Sequence, residues 1–289
     1  MFKSNRNPQF RSKFSEDIFN TKYSHEGAET LHELSCTLVN DVCQSKLTAD
    51  EKEELIDHIS NLRFIPGGRY LYYAGRDKKF FNNCYLLKAE EDNREDWAKL
   101  SWEAESCLMT GGGIGVDYSI YRQEGQILKG TGGISSGPIP KMQMINEIGR
   151  HVMQGGSRRS AIYASLNWKH ADIDQFLVSK NWHDMPVGNT GQTIFDVKQD
   201  DFNFPAPLDM TNISVNYDTE WLLNYWETGE VGDVFKTNVY QALRTAEPGF
   251  SFNFFERENE TLRNACTEVT SEDDSDVCNL GSLNFARID

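Results

Sequence analysis

The sequence predicts an α/β fold preceded by a small helical region. Apolar residues recur at helical spacing as far as Leu62, whereas beyond Gly68 short apolar runs alternate with glycine-rich turns and helical segments. Strands that alternate with helices are typical of an α/β sheet or barrel. We therefore predict a helical amino-terminal region, residues 1–63, and an α/β region, residues 64–289.

The amino-terminal region carries two amphipathic helical patterns. Thr48 and Glu51 form the capping-box pattern that begins the second of them. Cys36 and Cys43 lie on the first pattern, and free cysteines on helices usually pack as small hydrophobic side chains. We expect that packing role for both cysteines.

The α/β region is predicted to contain five strands and five helices. The strands are residues 83–87, 115–118, 160–166, 212–215 and 249–253. The helices are residues 97–109, 139–154, 171–179, 220–228 and 234–246. Residues 181–209 are predicted to be an irregular excursion, and residues 268–276 carry five carboxylates, which excludes a buried strand there.

Composition limits the classes of function. A formal net charge of −15 argues against binding along a nucleic-acid backbone, because such proteins use Lys and Arg to displace counterions. No apolar run approaches the roughly 20 residues that span a bilayer. The six cysteines form no Cys-x-x-Cys pair, and no histidine lies at ligand spacing from them. We expect a cytoplasmic protein with no metal site and no nucleic-acid or membrane partner.

One short cluster combines three reactive side chains. Asn264, Cys266 and Glu268 are two residues apart, so an extended or looped backbone would present an amide, a thiol and a carboxylate to one small volume. A polar surface loop that happens to hold a cysteine explains these residues equally well.

This cluster, with Cys278 and the residues after it, resembles the catalytic subunit of ribonucleotide reductases. The family carries an Asn-x-Cys-x-Glu loop and then a second cysteine, often as Cys-Asn-Leu-Gly-Ser-x-Asn, and both stand here in order. Further blocks match the family in the same order, at residues 64–69, 82–87, 110–119, 130–138 and 154–161.

The resemblance implies part of a ten-stranded ribonucleotide reductase α/β barrel. In the family's roles, a Cys266 thiyl radical removes the 3′-hydrogen of the ribose, Glu268 takes the 3′-hydroxyl proton and Asn264 holds the sugar hydroxyls. Cys84 and Cys278 would supply the reducing equivalents and close to a disulfide.

The resemblance also implies a substrate site and an effector site. The substrate-binding candidates are Asn83, Gly113, Gly68 and Tyr70. The effector-binding candidates are Asp92, Arg122, Gly156, Arg158 and Arg159. Ordinary tight turns remain the alternative for the glycines. A solvated surface position remains the alternative for Arg122 and for Asp92, which follows two other acidic residues.

The block at residues 64–69 and the paired arginines are more similar to the adenosylcobalamin-dependent class II enzymes, including the monomeric triphosphate type. That similarity implies adenosylcobalamin as cofactor, a deoxynucleoside triphosphate or ATP as allosteric effector, and thioredoxin or a similar dithiol as reductant. The alternatives are the large chain of a class I, diiron-partnered ribonucleoside-diphosphate reductase and a non-catalytic deoxynucleotide-binding fragment.

The sequence departs from the family in several ways, of which two concern the reactive loop and the extent of the barrel. Ala265 and Thr267 stand where the family usually has proline and glycine, which alters the backbone of the reactive loop. The family's later barrel strands, main phosphate-binding loop and carboxy-terminal cysteine pair would follow Asn284. We therefore expect either a second polypeptide that completes the barrel or a fragment of a longer enzyme.

Overall fold

The computed structural model describes residues 10–128, 130, 132–152 and 161–287. It divides into two compact units, one of Met1–Asn83 with Asn279–Asp289 and the other of Cys84–Cys278. These units do not follow the boundary predicted at residue 63. The reason is that Phe64–Pro66 pairs antiparallel with Gly281–Leu283, which places these late residues of the chain in the same unit as the amino-terminal helices.

The secondary structure of the described residues is as follows. The helices are α1 (Lys13–Ile18), α2 (Leu31–Cys43), α3 (Ala49–Ser60), α4 (Gly68–Tyr73), α5 (Arg94–Met109), α6 (Pro138–His151), α7 (Ile173–Val178), α8 (Ile194–Asp200), α9 (Thr219–Thr228) and α10 (Gly232–Thr245). The strands are β1 (Phe64–Pro66), β2 (Cys84–Leu87), β3 (Gly113–Asp117), β4 (Ile162–Asn167), β5 (Thr211–Tyr217), β6 (Gly249–Phe252), β7 (Leu262–Arg263), β8 (Thr270–Ser271), β9 (Asp276–Cys278) and β10 (Gly281–Leu283).

The first unit is helical, as the sequence predicts. A capping box at Thr30 begins α2, and the predicted one at Thr48 begins α3, so two of the otherwise free backbone N–H groups at each helix start are satisfied. The apolar faces of these helices form one core with residues of α4 and the preceding segment: Phe19, Ala28, Leu31, Leu34, Leu38, Val39, Ile59, Leu71 and Ala74. Cys36 and Cys43 lie on α2 and are half-buried.

The second unit is built on a six-stranded sheet in the order β6-β5-β4-β3-β2-β9. Strands β2 to β6 run parallel, and β9 is antiparallel to β2. The five strands predicted from the sequence are β2 to β6, with ends shifted by a few residues. The predicted α/β class is confirmed, and the sheet is open, with β6 and β9 at its two edges.

The two faces of this sheet differ in chemistry, because successive strand residues point to opposite sides. One face is aliphatic, with Ile114, Val116, Ile162, Ala164, Leu166, Ile213 and Val215 buried against α5, α6 and α7. The opposite side, here called the polar face, carries Gly113, Gly115, Tyr163, Ser165, Asn212, Ser214, Asn216 and Ser251.

The segment predicted to be irregular and the acidic segment predicted to hold no buried strand each contain a short element that the sequence pattern did not reveal. Residues 181–209 are mostly irregular but include α8, which a capping box between Thr193 and Asp196 begins. The acidic segment at residues 268–276 includes β8, whose two residues are Thr270 and Ser271. The carboxylates of that segment lie outside β8 itself, so the strand avoids burying them.

Candidate active site

The reactive cluster lies in a loop that crosses the polar face. Strands β7 and β8 pair antiparallel, Leu262 with Ser271 and Arg263 with Thr270, and enclose residues 264–269, here called the Cys266 loop. A Cβ atom placed on Gly115 would lie 1.6 Å from the carbonyl oxygen of Arg263. Only glycine at this point of β3 permits so close an approach of the loop backbone.

Asn264 and Glu268 both reach the thiol of Cys278. The side chain of Asn264 is fully buried; its Oδ1 accepts a hydrogen bond from the Val269 N–H at 3.0 Å. Its Nδ2 donates to the Sγ of Cys278 at 3.7 Å. The Cys278 thiol in turn donates to Oε1 of Glu268 at 3.8 Å. The fold therefore brings an amide, a carboxylate and a thiol into direct contact.

Cys84 and Cys278 face each other across neighbouring strands. They are register partners in the antiparallel β2–β9 pair, and both are buried thiols. Directly opposed residues in such a pair have Cα atoms about 4.5–5.5 Å apart, inside the roughly 7 Å limit for a disulfide. A Cβ on Gly113 would lie 3.1 Å from the Sγ of Cys84 and 3.1 Å from the Cβ of Ala265, so that glycine leaves room for both neighbours.

The thiol of Cys278 holds its proton tightly. Burial, followed by the nearby Cys84 thiol and the Glu268 carboxylate, raises the pKa of Cys278 to about 11. Each of these effects disfavours the thiolate. At neutral pH the group is therefore a protonated thiol and can donate to Glu268.

Cys266 lines a cavity of about 550 Å³ on the polar side of the sheet. Its side chain is exposed, in contrast to Cys84 and Cys278. The cavity is mainly lined by Asn212, Ser214, Glu247, Gly249, Phe250, Phe252, Arg263 and Thr267. This mixture of hydrogen-bonding and aromatic groups is typical of sites for small polar ligands.

Three of the predicted substrate-binding residues belong to the first unit. Asn83 is buried, and its Nδ2 has no hydrogen-bond partner among the described residues. Gly68 begins α4, where a Cβ would lie 3.0 Å from the hydroxyl of Tyr23. Tyr70 stacks on Phe81 with ring centroids 5.1 Å apart, and burial raises its pKa. Their contact with substrate stays a prediction, as it does for Gly113.

The predicted effector residues Asp92 and Arg122 pair with each other. Nε of Arg122 donates to Oδ2 of Asp92 at 2.7 Å, and the guanidinium also donates to the Asp92 carbonyl oxygen. Nε1 of Trp97 donates to the other carboxylate oxygen at 2.9 Å. Gly156, Arg158 and Arg159 lie outside the described residues. The effector role of all five residues stays a prediction.

The described residues hold neither a metal-binding cluster nor a membrane-spanning helix. Within them, no group of three or more His, Cys, Asp or Glu side chains is arranged to hold a metal ion. None of the helices that the structure describes has the length and apolar character needed to cross a membrane.

Comparison with known proteins assigns the fold. Residues 82–195 match the family model described as ribonucleotide reductase, barrel domain. The class Id ribonucleotide reductase alpha subunit of Actinobacillus ureae superposes with a TM-score of 0.70 and 17% identity, over 94% of this chain and 49% of that one. The fold is that of the ribonucleotide reductase barrel domain.

Curated relatives of this barrel domain come from two classes of enzyme. A vitamin B12-dependent ribonucleoside-diphosphate reductase of Thermoplasma acidophilum is 28% identical, over 79% of this chain and 30% of the relative. A ribonucleoside-diphosphate reductase subunit alpha of Chlamydia muridarum is 27% identical, over 79% of this chain and 25% of the relative. The chain thus spans about a quarter to a third of the length of these relatives.

Sequence reasoning missed several residues that shape this part of the barrel domain. Gly115 admits the Cys266 loop, and Asn212, Ser214 and Glu247 line its cavity. The role of Gly115 could have been predicted, because two glycines two residues apart in a strand indicate that another segment packs closely against one face of the strand. No sequence pattern indicates the cavity residues, because they come together only through the register of β5, β6 and the loop.

Proposed function

We propose that this chain is the amino-terminal portion of a ribonucleotide reductase catalytic subunit, which reduces ribonucleotides to 2′-deoxyribonucleotides for DNA synthesis. The observation that supports this proposal best is that Asn264 and Glu268 both contact the sulfur of Cys278, at 3.7 and 3.8 Å. Cys84 is the strand partner of Cys278, and Cys266 opens on a cavity on the same side of the sheet. These are the groups that the reaction requires.

The reaction needs a radical, because hydroxide is a poor leaving group from an unactivated ribose carbon. In the proposed sequence a Cys266 thiyl takes the 3′-hydrogen atom and becomes a thiol, which leaves a radical at C3′. Glu268 accepts the 3′-hydroxyl proton, and Asn264 holds the sugar hydroxyls through its amide. The 2′-hydroxyl, protonated from the thiol pair, departs as water.

Cys84 and Cys278 supply the two hydrogens that the reduction consumes. One leaves with the water, the other is delivered to C2′, and the two sulfurs join in a disulfide. The raised pKa of Cys278, about 11, supports this role because the residue stays protonated until it is needed. Glu268 then returns its proton to the 3′-oxygen, and Cys266 returns its hydrogen atom to C3′ and is again a thiyl. A thioredoxin-type dithiol reduces the disulfide.

We infer the class II cofactor from the resemblance and from the names of some relatives. Relatives from Thermoplasma acidophilum and Mycobacterium tuberculosis are named vitamin B12-dependent, whereas the chlamydial alpha subunit is not. The exposed Cys266 and its cavity of about 550 Å³, with Asn212 and Ser214 as hydrogen-bonding groups, fit a nucleoside-sized moiety. Adenosylcobalamin, when bound, supplies the radical that Cys266 carries.

The substrate and effector assignments rest on the resemblance. We propose a ribonucleoside triphosphate as substrate, although both B12-dependent relatives are named as diphosphate reductases. We propose a deoxynucleoside triphosphate or ATP as effector, bound near Arg122.

Complementation tests the proposal. The chain is mixed with a polypeptide that carries the later barrel strands, and deoxyribonucleotide formation is measured with and without adenosylcobalamin and a dithiol. We expect turnover only with both, and none from the chain alone, because the reacting groups need a complete site around the substrate. Activity with a diiron partner and no cobalamin would overturn the assignment to class II but not the assignment to ribonucleotide reductase.

Three cysteine variants sharpen this experiment. Cys266→Ser should abolish turnover, because a serine O–H bond is too strong to relay a hydrogen atom. Cys84→Ser should allow no more than a fraction of a turnover, since the disulfide cannot form. Cys36→Ser, at a half-buried helix position outside the site, is the matched control and should retain activity. Full activity of Cys266→Ser would contradict the central assignment, and effector binding without any turnover would favour a non-catalytic deoxynucleotide-binding fragment.

A further inference from the structure

The residue that precedes Asn264 makes contacts that the proposed chemistry does not use. The backbone of Arg263 lies over Gly115, and its side chain extends along the polar face toward β6 at the sheet edge. Arg263 is partly buried and also lines the Cys266 cavity. It therefore links the loop, the edge strand and the cavity.

The guanidinium of Arg263 is held by polar groups at the end of β6. Its Nε donates to Oγ of Ser251 at 2.7 Å. Its Nη2 donates to Oδ1 of Asn253 at 3.1 Å and to the Phe252 carbonyl oxygen at 3.5 Å. Ser251 and Asn253 are 1% and 3% exposed, and Asn253 is fixed by a 2.9 Å bond from its N–H to the Tyr217 carbonyl. Ser251 and Asn253, which also bond to each other at 3.0 Å, therefore form a buried, hydrogen-bonded anchor at the end of β6.

The remaining arm of the guanidinium points back to the loop. Nη1 of Arg263 lies 3.5 Å from the carbonyl oxygen of Thr267, to which it donates. Thr267 has φ of 72°, a left-handed conformation that is unfavourable for a β-branched residue and that surrounding contacts must hold. Its N–H donates to the Asn264 carbonyl at 2.9 Å. Because Thr267 stands between Cys266 and Glu268, its conformation sets the direction of both side chains.

We propose that Arg263 is a positioning residue that locks the Cys266 loop to the edge strand β6 and thereby aims Cys266 and Glu268. The catalytic part of this inference rests on the proposed function, whereas the locking does not. A planar guanidinium with donors in several directions meets Ser251, Asn253 and Thr267 at once, which the single ammonium group of lysine would not do.

Hydrogen exchange of the isolated chain tests the locking. Arg263→Met keeps most of the side-chain length and removes every donor. We expect the amides of residues 264–269 to exchange about tenfold faster or more, because the loop would open locally without unfolding the sheet. Arg263→Lys should fall between the variant and the wild type. Arg257→Met is the control, because the Arg257 side chain is 78% exposed and its ion pair with Glu260 is long, at 4.0 Å.

Exchange in β4 separates local from global effects. Unchanged exchange of residues 264–269 in Arg263→Met would overturn the locking, and so would an equal acceleration in β4, which would mean that the whole unit is destabilised. These outcomes do not depend on whether the completed wild-type protein reduces ribonucleotides.

Turnover of the complemented enzyme tests the aiming. We expect Arg263→Met to lower kcat by about a hundredfold with little change in KM, since a small displacement of reacting groups is costly while substrate contacts remain. Arg263→Lys should recover part of kcat, and Arg257→Met should match the wild type. An unchanged kcat in Arg263→Met would overturn the aiming.

Discussion

Replacing Gly115 with alanine tests how the Cys266 loop sits on the sheet. The added Cβ would lie 1.6 Å from the carbonyl oxygen of Arg263, 2.8 Å from its carbonyl carbon and 3.5 Å from the Cα of Asn264. These are main-chain atoms at the base of the loop, and Arg263 is also paired with Thr270 in β8. Rotation of a side chain cannot relieve the overlap, so either β3 or the loop must move.

The expected loss of stability follows from that overlap. Inserting a methyl group into a packed region typically costs about 1–3 kcal/mol, and a backbone obstacle places Gly115→Ala near 3 kcal/mol. In a domain of 150–250 residues each kcal/mol shifts Tm by about 2–4 °C, which gives a fall of roughly 6–12 °C. Gly115 does not have a positive φ, so alanine itself adds no backbone strain.

Two other glycines serve as comparisons in the same thermal unfolding measurement. A Cβ on Gly113 would meet neighbours at 3.1–3.2 Å, so Gly113→Ala should cause a smaller fall. Around Gly130 no described atom lies within 4 Å of such a Cβ, so Gly130→Ala should stay within about 0.5 kcal/mol of the wild type. A Gly115→Ala protein with the Tm of Gly130→Ala would refute the close approach of the loop.

Three further measurements address the Cys278 thiol, the Asp92–Arg122 ion pair and the effector site. Burial, and then the Cys84 thiol, raises the pKa of Cys278 to about 11. The rate at which Cys278 is alkylated, measured by mass spectrometry, should therefore increase with pH until the pH nears 11. A plateau near pH 9, the ordinary pKa of the group, would contradict this. The folded state holds this proton more tightly than the unfolded state, so the stabilisation it provides is lost as the pH rises from about 9 through about 11. Asp92→Asn should lower Tm slightly, because a partly exposed ion pair contributes about 1 kcal/mol or less. Deoxynucleoside triphosphate should raise Tm of the wild type by binding the folded state, and Arg122→Ala should weaken this rise; an unchanged rise would remove Arg122 from the effector site.

The strands of the sheet could be predicted because their pattern is local. Strands β2 to β4 are short apolar runs bounded by glycine and polar residues, and β5 and β6 alternate apolar with polar residues. Strands β7 and β8 have two residues each and could not be recognised. Their existence depends on their pairing across the Cys266 loop and on the space over Gly115, and the second of these is a contact between distant parts of the chain.

The reactive loop could be predicted in composition but not in geometry. Alternation along an extended backbone predicts that Asn264, Cys266 and Glu268 project together. The backbone is not extended at Thr267, where φ is 72°. As a result Asn264 and Glu268 contact Cys278, whereas Cys266 lines the cavity. Such a conformation is fixed by contacts such as that of Arg263, which no periodicity encodes.

The polar face gives the loop a thermal behaviour different from that of the sheet beneath it. The loop rests on glycine, hydroxyl and amide groups such as Gly115, Ser165 and Asn212, whereas the other face is packed with aliphatic side chains. Apart from Ala265 and Val269, which pack with Cys84 and Cys278, separation of the loop from the sheet exposes mainly polar surface, so the heat capacity changes less than when the helices on the other face separate. Hydrophobic packing, by contrast, weakens on cooling. We therefore expect cooling to weaken the packing of the helices on the aliphatic face more than it weakens the attachment of the loop to the polar face.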